Sequence, residues 1–434
     1  MLSVYDHEGE GVEFRALSDR EYQAFLDDQE RVYLTQLIEY GDVRREEGRR
    51  VDRVGLVDDG RVVGAATVVY ESWMRIFRRA LVHFGPVLNF DDSDLVRLFI
   101  EELKQWVMRD PRVIVLRVNP DMIRRPYDDL IAGDESSAAK RLDATMAMVG
   151  ATKVKGEYFD DTSIHPIFMY SKDLAGLDFR QAIASTGNNV RSGIRKAASG
   201  GVRVRFLGAD DFPVLKSALD HTVERTGMPE ISDDALERTR RLMKRMGPEK
   251  FQLVVSELDV EASLTAIEGE LEALSAKIDG LERDQREAET RGLSFSKKHA
   301  NQLREARTRN DALIRNKTKT EEVRRKYGDR PILTVSTFVE TPSDMIFYHS
   351  GGYDDLASYR GIYAVHEAMI ARSIERGKRW YNLHVIQGVF EEGKPGFGLL
   401  DYKRNFHGTI EELVGTYEFA LRPFLARNTG AVQS

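Results

Sequence analysis

The first half of the chain shows a hydrophobic pattern that predicts a hairpin, a helix and a further strand. Strand-like apolar runs at residues 54–57 and 62–69 flank Asp58-Asp59-Gly60, a sequence typical of a tight β-hairpin turn. A capping sequence beginning at Asp91 then precedes apolar residues at helical spacing, namely Leu95, Phe99, Leu103 and Trp106. The buried strand predicted over residues 113–118 ends this first series of elements.

The second half repeats that order. Strands are predicted around residues 253–255, 332–336 and 345–348, followed by a helix that Gly377 ends. The helix carries apolar residues on one face, namely Ile362, Val365, Met369 and Ile370. A last strand is predicted over residues 380–386.

This repeated order is typical of acyltransferase domains of the N-acetyltransferase (GNAT) type. The chain is therefore predicted to have an α/β (α+β) fold with two GNAT-like domains. The first domain is assigned to residues 1–170, and the second to residues 171–256 together with 331–434. Residues 257–330 are predicted to form an inserted antiparallel coiled-coil hairpin.

The insertion has a heptad pattern in its outgoing arm, where apolar residues alternate at spacings of four and three: Val260, Leu264, Ile267, Leu271, Leu274, Ile278 and Leu281. The returning arm is weaker, and the turn is predicted at residues 291–295. Each arm would be about 50 Å long. The outgoing arm is acidic and the returning arm is basic. Two interpretations stay open, because the charges could serve only to pair the arms or could also contact the phosphates of a nucleic acid.

Composition excludes several classes of protein. The chain has 434 residues, a net charge of −7 and no cysteine. The net charge argues against a general nucleic-acid coat protein, and the lack of cysteine excludes disulfides, thiolate catalysis and cysteine-bound metals. No signal peptide is expected from residues 1–7, and no apolar run approaches the roughly 18 residues of a spanning helix. A soluble, cytoplasmic protein is the expectation.

Lys403 is the first candidate for chemistry. It stands in the sequence Tyr402-Lys403-Arg404-Asn405-Phe406, shortly before a strand-like run at residues 412–415. A fixed lysine can stabilise the tetrahedral oxyanion that forms when an amine attacks an ester. The plainer interpretation is an exposed lysine at the start of an ordinary strand, since lone lysines are mostly solvated.

Two further clusters have polar residues suited to binding. Arg191, Arg195 and Lys196 share part of one predicted helix surface, which could grip a phosphate or could be a solvated basic face. Tyr348 precedes Gly351-Gly352, with Tyr363 in the next helix, and a strand end with a flexible turn is an equally open interpretation. No metal site is predicted, because the spacing of His349, His366, His384 and His407 fits surface or packing histidines.

These motifs and the inserted hairpin resemble the Fem family of peptidoglycan bridge aminoacyltransferases, over residues 34 to 423 approximately. The resemblance implies that Lys403 is catalytic, although Tyr402 replaces a family phenylalanine and Asn405 a glycine. It also implies substrate contacts for Arg191, Arg195, Tyr348, Tyr363 and Tyr402. One departure is Asn119-Pro120, where many relatives have an aspartate before the proline, so a charged role at that position is unsupported.

The function implied by this resemblance is transfer of an amino acid from aminoacyl-tRNA to the stem or bridge peptide of a peptidoglycan precursor. The acceptor would be lipid II or a UDP-linked precursor, reached through transient contact with the inner membrane surface, and no cofactor is implied. Two alternatives differ in class: an N-acyltransferase that uses acyl-CoA, and a non-catalytic coiled-coil scaffold. The sequence around Gly361 disfavours acyl-CoA, since it offers one glycine where a pyrophosphate loop has two.

Overall fold

The computed structural model describes residues 11–155, 166–226, 230–292, 294 and 296–428. The segment at residues 1–7, in which no signal peptide is expected, lies outside these residues. So do Leu293 and Phe295 of the predicted arm turn.

Seventeen strands are formed by the described residues, and they are numbered in chain order. They are β1 Val12–Ala16, β2 Arg50–Asp58, β3 Arg61–Trp73, β4 Phe77–Val82, β5 Val87–Leu88, β6 Val113–Val118, β7 Ile123–Asp128, β8 Ile131–Ala132, β9 Thr152–Lys153, β10 Phe168–Asp173, β11 Val202–Leu207, β12 Phe251–Leu258, β13 Ile332–Glu340, β14 Asp344–Gly352, β15 Trp380–Val385, β16 Thr409–Leu413 and β17 Tyr417–Ala420.

The α-helices of the same residues are also numbered in chain order. They are α1 Asp19–Asp27, α2 Ile38–Glu46, α3 Ser93–Met108, α4 Ser137–Met148, α5 Phe179–Ala184, α6 Asn188–Ser199, α7 Pro213–Thr226, α8 Asp233–Lys250, α9 Val260–Thr290, α10 Lys297–Tyr327, α11 Gly361–Glu375, α12 Phe397–Arg404 and α13 Pro423–Asn428. Three short 3₁₀ turns span Leu34–Gln36, Ala209–Asp211 and Asp354–Tyr359.

The first sheet has the strand order β1-β2-β3-β4-β6-β17-β9, with β5 paired to β3. The predicted hairpin is confirmed, since β2 and β3 are joined by a turn at Asp59 and Gly60, both with positive φ. The predicted helix is also confirmed as α3, capped by the Asp92 carboxylate. Its apolar face, with Phe99 and Leu103, packs on the sheet because these residues recur every third or fourth position.

The second sheet has the order β11-β12-β13-β14-β15-β10-β16-β7-β8. Its strands β12 to β15 and helix α11 follow the order predicted from the sequence. Helix α11 packs across the sheet with Val365, Met369 and Ile370 fully buried. A sheet carrying helices, and joined to a second such sheet, is the predicted α/β (α+β) architecture.

Two pieces of chain cross between the sheets. Strands β7 and β8, from the first half of the sequence, pair at the edge of the second sheet next to β16. Strand β17, from the end of the chain, lies between β6 and β9 in the first sheet. The predicted domain boundary at residue 170 therefore stays a proposal, since each sheet contains strands from both sides of that residue.

The insertion forms two helices, α9 and α10, of 31 residues each. Ion pairs join the two arms in antiparallel register: Arg307 with Glu282, Arg309 with Glu270, Lys317 with Glu268 and Arg324 with Glu261. At the base, Val260 and Val323 are buried against Leu333 and Leu356. The arm is thus anchored to the second sheet. Among the described helices, none is both long enough and apolar enough to cross a membrane.

Candidate functional site

A wedge opens between two parallel strands of the second sheet. Strands β14 and β15 pair only from Asp344↔Trp380 to Ile346↔Asn382, and beyond this point β14 continues along β13 while β15 stays with β10. The equivalent parallel pair of the first sheet, β4 with β6, stays together from Arg78 to Val82. Unpaired backbone groups along the wedge are obligatory hydrogen-bonding groups, which suits them to hold a ligand or a side chain.

Lys403 occupies this wedge from the side of α12. It lies in the last turn of that helix, only 4% exposed, and its Nζ donates a hydrogen bond of 2.7 Å to the carbonyl of Val385. Burial lowers the pKa of Lys403 to about 7. The interpretation of an exposed lysine at the start of a strand is therefore wrong. The closing strand begins later, at Thr409.

A buried histidine joins two tyrosines beside Lys403. His366 of α11 contacts the hydroxyl of Tyr381 through Nδ1 and the hydroxyl of Tyr402 through Nε2, both at 2.6 Å. Burial, with a smaller contribution from the charge of Lys403, lowers the pKa of His366 to about 3. The histidine is thus neutral, so one ring nitrogen donates and the other accepts.

The opposite face of the wedge contacts the first half of the chain. Tyr33 stacks on Phe84 and its hydroxyl lies 2.6 Å from Nε2 of His384, the residue just before Val385. His384 has a positive φ of 68°, and Tyr348 of β14 lies beside it with ring centroids 5.3 Å apart. Burial, Lys403 and His349 hold the pKa of His384 well below its usual range. The wedge is thus closed on this side by a tyrosine from the other half of the molecule.

The four histidines were predicted to be surface or packing residues. His407 is exposed, but His366 and His384 are hydrogen-bonded to tyrosines within the site, a role that their spacing did not reveal. The sequence did offer one sign of this role, because each histidine follows a tyrosine of the site by three residues: His366 follows Tyr363, and His384 follows Tyr381. The described residues include no group of three or more His, Asp or Glu side chains arranged to hold a metal.

The basic cluster on α6 is held against the end of α12. The amide of Gly187 donates to the carbonyl of Asn405 at 2.7 Å, and a Cβ atom at Gly193 would collide with the ring of Tyr363. The two predicted arginines differ in their surroundings. Arg191 donates to the backbone carbonyls of Ala184 and Thr186, whereas Arg195 is exposed. Arg191 therefore fixes the local backbone, and Arg195 presents its charge at the surface.

The predicted tyrosines lie on both faces of the wedge. Tyr363 and Tyr402 face each other between α11 and α12, with ring centroids 6.3 Å apart. Tyr348 lies in the middle of β14, not in a flexible turn, and packs with the residues on the other face. The three tyrosines thus flank the wedge in which Lys403 lies.

A partly buried arginine below the wedge was missed by the sequence analysis. Arg31 contacts Asp344 at 3.1 Å and Glu411 at 3.0 Å, and it also donates to the hydroxyl of Ser171. A third carboxylate, that of Asp121, interacts electrostatically with Arg31, Asp344 and Glu411. Burial raises the pKa of Asp121 to about 6. Its Oδ2 atom is buried with no hydrogen-bond partner among the described residues. One guanidinium therefore balances several carboxylates at the junction of the two sheets.

This cluster is linked to the wedge through one asparagine. Asn382 donates to Asp344 at 3.0 Å and accepts from the amide of His384 at 2.8 Å. Asn119, at the position before the proline, is buried and donates to Thr416. Asp121 supplies a carboxylate two residues beyond it, so negative charge is present here at a different position.

Comparisons with known proteins agree with this architecture. The model of the FemAB family matches residues 17–433. Aminoacyltransferase FemA of Staphylococcus epidermidis is 22% identical over 412 residues, covering 94% of this chain and 95% of that protein. FemA of Staphylococcus aureus is 22% identical over 418 residues, covering 94% of each chain. The crystal structure of FemX superposes with a TM-score of 0.74 at 15% identity, covering 96% of this chain and 99% of that one, which shows the shared fold.

Proposed function

The chain belongs to the FemAB family and is an aminoacyltransferase, and we propose that it transfers an amino acid from aminoacyl-tRNA to a lipid-linked peptidoglycan precursor. The observation that carries the proposal is the buried amine of Lys403 in the wedge of the second sheet. Transfer of a labelled amino acid from charged tRNA to lipid II tests it. Absence of transfer from any charged tRNA, together with tight acetyl-CoA binding, would contradict it.

The chemistry follows from an ester donor and an amine acceptor. The amine attacks the ester carbonyl of the aminoacyl group, so that the new C–N bond forms and the carbonyl oxygen becomes an oxyanion; the ester C–O bond then breaks as the carbonyl is restored. The amine loses a proton and the departing ribose oxygen gains one. The donor ester is already activated, so this reaction needs no cofactor. It would occur on the cytoplasmic side of the membrane, where charged tRNA is made.

Lys403 is suited to stabilise the oxyanion of this reaction. Its ammonium group is fixed by a backbone carbonyl and is removed from water, where a charge acts more strongly than at the surface. With a pKa of about 7, part of the population is charged at neutral pH. An oxyanion forming nearby favours the charged state further, because an opposite charge raises the pKa of a lysine.

Tyr402 is proposed to supply a proton to an oxygen of the substrate. Tyr381 is fully buried, so leaving its hydroxyl hydrogen without an acceptor would be costly. Tyr381 therefore donates to Nδ1 of His366, and the hydrogen on Nε2 of that histidine points to the oxygen of Tyr402. In this arrangement the hydrogen of the Tyr402 hydroxyl is not used by the histidine and is available to a ligand in the wedge.

Replacing Tyr402 by phenylalanine should lower kcat about 10- to 100-fold with little change in KM, since proton transfer by a positioned group contributes at least this much. The matched control is Tyr363→Phe. It removes the hydroxyl of the tyrosine that faces Tyr402, whereas the hydroxyls that contact His366 belong to Tyr381 and Tyr402. Steady-state rates with lipid II measure both variants. If Tyr402→Phe turned over at the wild-type rate, the tyrosine would only pack against His366.

The remaining substrate contacts are proposed on the two faces of the wedge. Beside α11 and α12, exposed Arg195 of α6 is proposed to bind a substrate phosphate, whereas Arg191 supports the helix that carries Arg195. On the other face, Tyr348 and Tyr33, which both contact His384, are proposed to line the route of the second substrate. An acyl-CoA donor is not favoured, because Gly361 at the start of α11 is packed against Ser256 and Leu333.

The arm is proposed to contribute to tRNA binding through the basic residues that do not pair across it. Exposed Lys297, Lys298, Arg304, Arg315 and Arg325 form no ion pair with a described carboxylate, whereas four other basic residues of α10 pair with α9. Pairing alone therefore does not use all of the positive charge of this helix.

Shortening the arm tests this contribution. Joining Glu270 to Arg315 by a short turn retains the pair between Glu268 and Lys317 and the buried base of the arm. We expect the KM for charged tRNA to rise at least about tenfold, because lost phosphate contacts weaken binding. The melting temperature of the body should stay unchanged. An unchanged KM in the shortened protein would limit the arm to a structural role.

A further inference from the structure

Three segments meet at the edge of the first sheet that lies away from the wedge. They are the β3–β4 turn at residues 74–76, the α3–β6 connection at residues 108–112, and helix α13. The amide of Arg78 donates to Arg112 at 2.8 Å, and Leu421 donates to Ile114 at 3.0 Å. A guanidinium nitrogen of Arg422 lies 3.5 Å from the carbonyl of Met108. These contacts join the three segments into one surface, which we call the sheet-edge patch.

The sheet-edge patch exposes large apolar side chains. Met74 and Ile76 at the hairpin tip are 63% and 64% exposed, Phe424 on α13 is 78% exposed, and Met108 is 39% exposed. Beneath them, a small cluster of Trp73, Phe77, Leu425 and Ala426 packs on β6. Single exposed apolar residues are ordinary on a soluble surface, but four on one edge mark an interaction site.

The same patch is strongly basic in an acidic protein. Residues 74–79, 108–112 and 422–428, which make up the patch and its immediate flanks, contain one aspartate and seven arginines, while the whole chain has a net charge of −7: the arginines are Arg75, Arg78, Arg79, Arg109, Arg112, Arg422 and Arg427. The aspartate, Asp110, is buried and paired with Arg78 and Arg112. Two guanidinium groups lie over indole rings, Arg79 over Trp73 at 3.6 Å and Arg109 over Trp106 at 4.3 Å. The apolar tip is thus surrounded by positive charge.

We propose that the sheet-edge patch docks on an anionic lipid bilayer, with Met74, Ile76 and Phe424 entering the headgroup region. Apolar residues that enter an interface, surrounded by arginines that bind anionic headgroups, are the features of a peripheral membrane site. Tryptophan beside the tip suits the same boundary. Part of this inference rests on the proposed function, because a lipid-linked acceptor gives the enzyme a reason to lie on the membrane.

Two other occupants fit the patch less well. In a symmetric pair of copies the same surface would meet itself, which would set the arginines of one copy against those of the other. An RNA would pair with the arginines but would leave Met74 and Ile76 without an apolar partner. A bilayer satisfies both the apolar tip and the basic rim.

The position of the patch suits an acceptor that extends from the membrane. Strand β4 begins at Phe77 beside the patch and ends at Val82, shortly before Phe84, which stacks on Tyr33 at the wedge. A strand of this length spans about 20 Å. The patch and the wedge therefore lie at opposite ends of β4, a distance that an extended peptide of a few residues covers.

Vesicle flotation tests the docking without any substrate. The full chain is mixed with vesicles of phosphatidylcholine alone, or of phosphatidylcholine with about one-third phosphatidylglycerol. We expect binding only to the anionic vesicles, and at least about tenfold weaker binding for Met74→Ser/Ile76→Ser because the inserted side chains are lost. The matched control, Ile131→Ser/Ile314→Ser, removes two exposed apolar residues elsewhere and should bind as the native protein does.

A second readout separates this inference from the proposed function. With a soluble peptide acceptor, Met74→Ser/Ile76→Ser should match the native rate. With lipid II in anionic vesicles, its rate should fall about tenfold or more. Failure of the native protein to bind anionic vesicles, or equal binding by the variant, would overturn the docking even if transfer occurred. So would loss of tRNA binding in the variant, or a dimer of the native protein that the variant abolishes.

Discussion

Lys403→Met should lower the turnover of aminoacyl transfer about 10²–10³-fold, because it removes the buried amine that is fixed in the wedge by the carbonyl of Val385. Methionine keeps much of the length and apolar volume of the lysine side chain but cannot donate to Val385 or balance an oxyanion. The measurement is kcat with saturating charged tRNA and acceptor. A variant that kept near-native turnover would remove Lys403 from the reaction.

Folding provides the control for this variant. Burial lowers the pKa of Lys403, so the unfolded chain binds the proton more tightly than the folded protein does. The cost of the buried amine is therefore present at acidic and neutral pH and disappears as the pH rises above the unfolded pKa of a lysine. Lys403→Met removes that cost, and we expect its melting temperature to equal or exceed that of the native protein at pH 7.

The pH dependence distinguishes a cation from a base. The ratio of native to Lys403→Met rates cancels the titration of the substrates, which both proteins share. This ratio should fall as the pH rises through about 7, because the ammonium that stabilises the oxyanion loses its proton. A ratio that rose through the same range would show that the neutral amine acts, and would assign Lys403 as a general base.

The parts of the fold with strong local patterns were predicted correctly. The hairpin of β2 and β3, helix α3 and the outgoing arm α9 each carry a regular apolar repeat and a turn or capping signal. Strand β7 was missed because its sequence is mostly polar and shows no apolar alternation, and Pro126 within it argues against a strand. Its pairing with β16 depends on residues far away in the chain, so local pattern could not place it in the second sheet.

The site was predictable only where a motif identified it. Lys403 and the tyrosines near it were proposed through a family resemblance, but the residues that contact them were not. Tyr33 and His384 are 351 residues apart in the chain, and Arg31 and Glu411 are 380 apart. Such contacts are created by the packing of two sheets, which brings together residues with no shared sequence pattern.

Arg31→Met should destabilise the fold by about 3–5 kcal/mol, the largest stability effect that we expect from a single substitution. The arginine is the partner of Asp344 and Glu411, both almost fully buried, and removing it leaves their charges uncompensated. Urea unfolding measures the loss. The matched control is Arg379→Met, which removes a neighbouring arginine that also lies over Trp380 but forms only surface ion pairs. It should cost no more than about 1 kcal/mol.

The deficit of Arg31→Met should shrink as the pH falls from 7 to 5. Burial raises the pKa of Asp121 to about 6 although the charge of Arg31 lowers it, so removing the guanidinium should raise the pKa of Asp121 further. An acid with a raised folded pKa takes up its proton in the folded state first, so stability is regained at low pH and lost as the pH rises. Adding Asp344→Asn and Glu411→Gln to Arg31→Met should recover much of the loss at pH 7, since neutral groups need no counter-charge. A deficit that stayed constant with pH would mean that Arg31 acts by packing and hydrogen bonding, and not by balancing the buried charges.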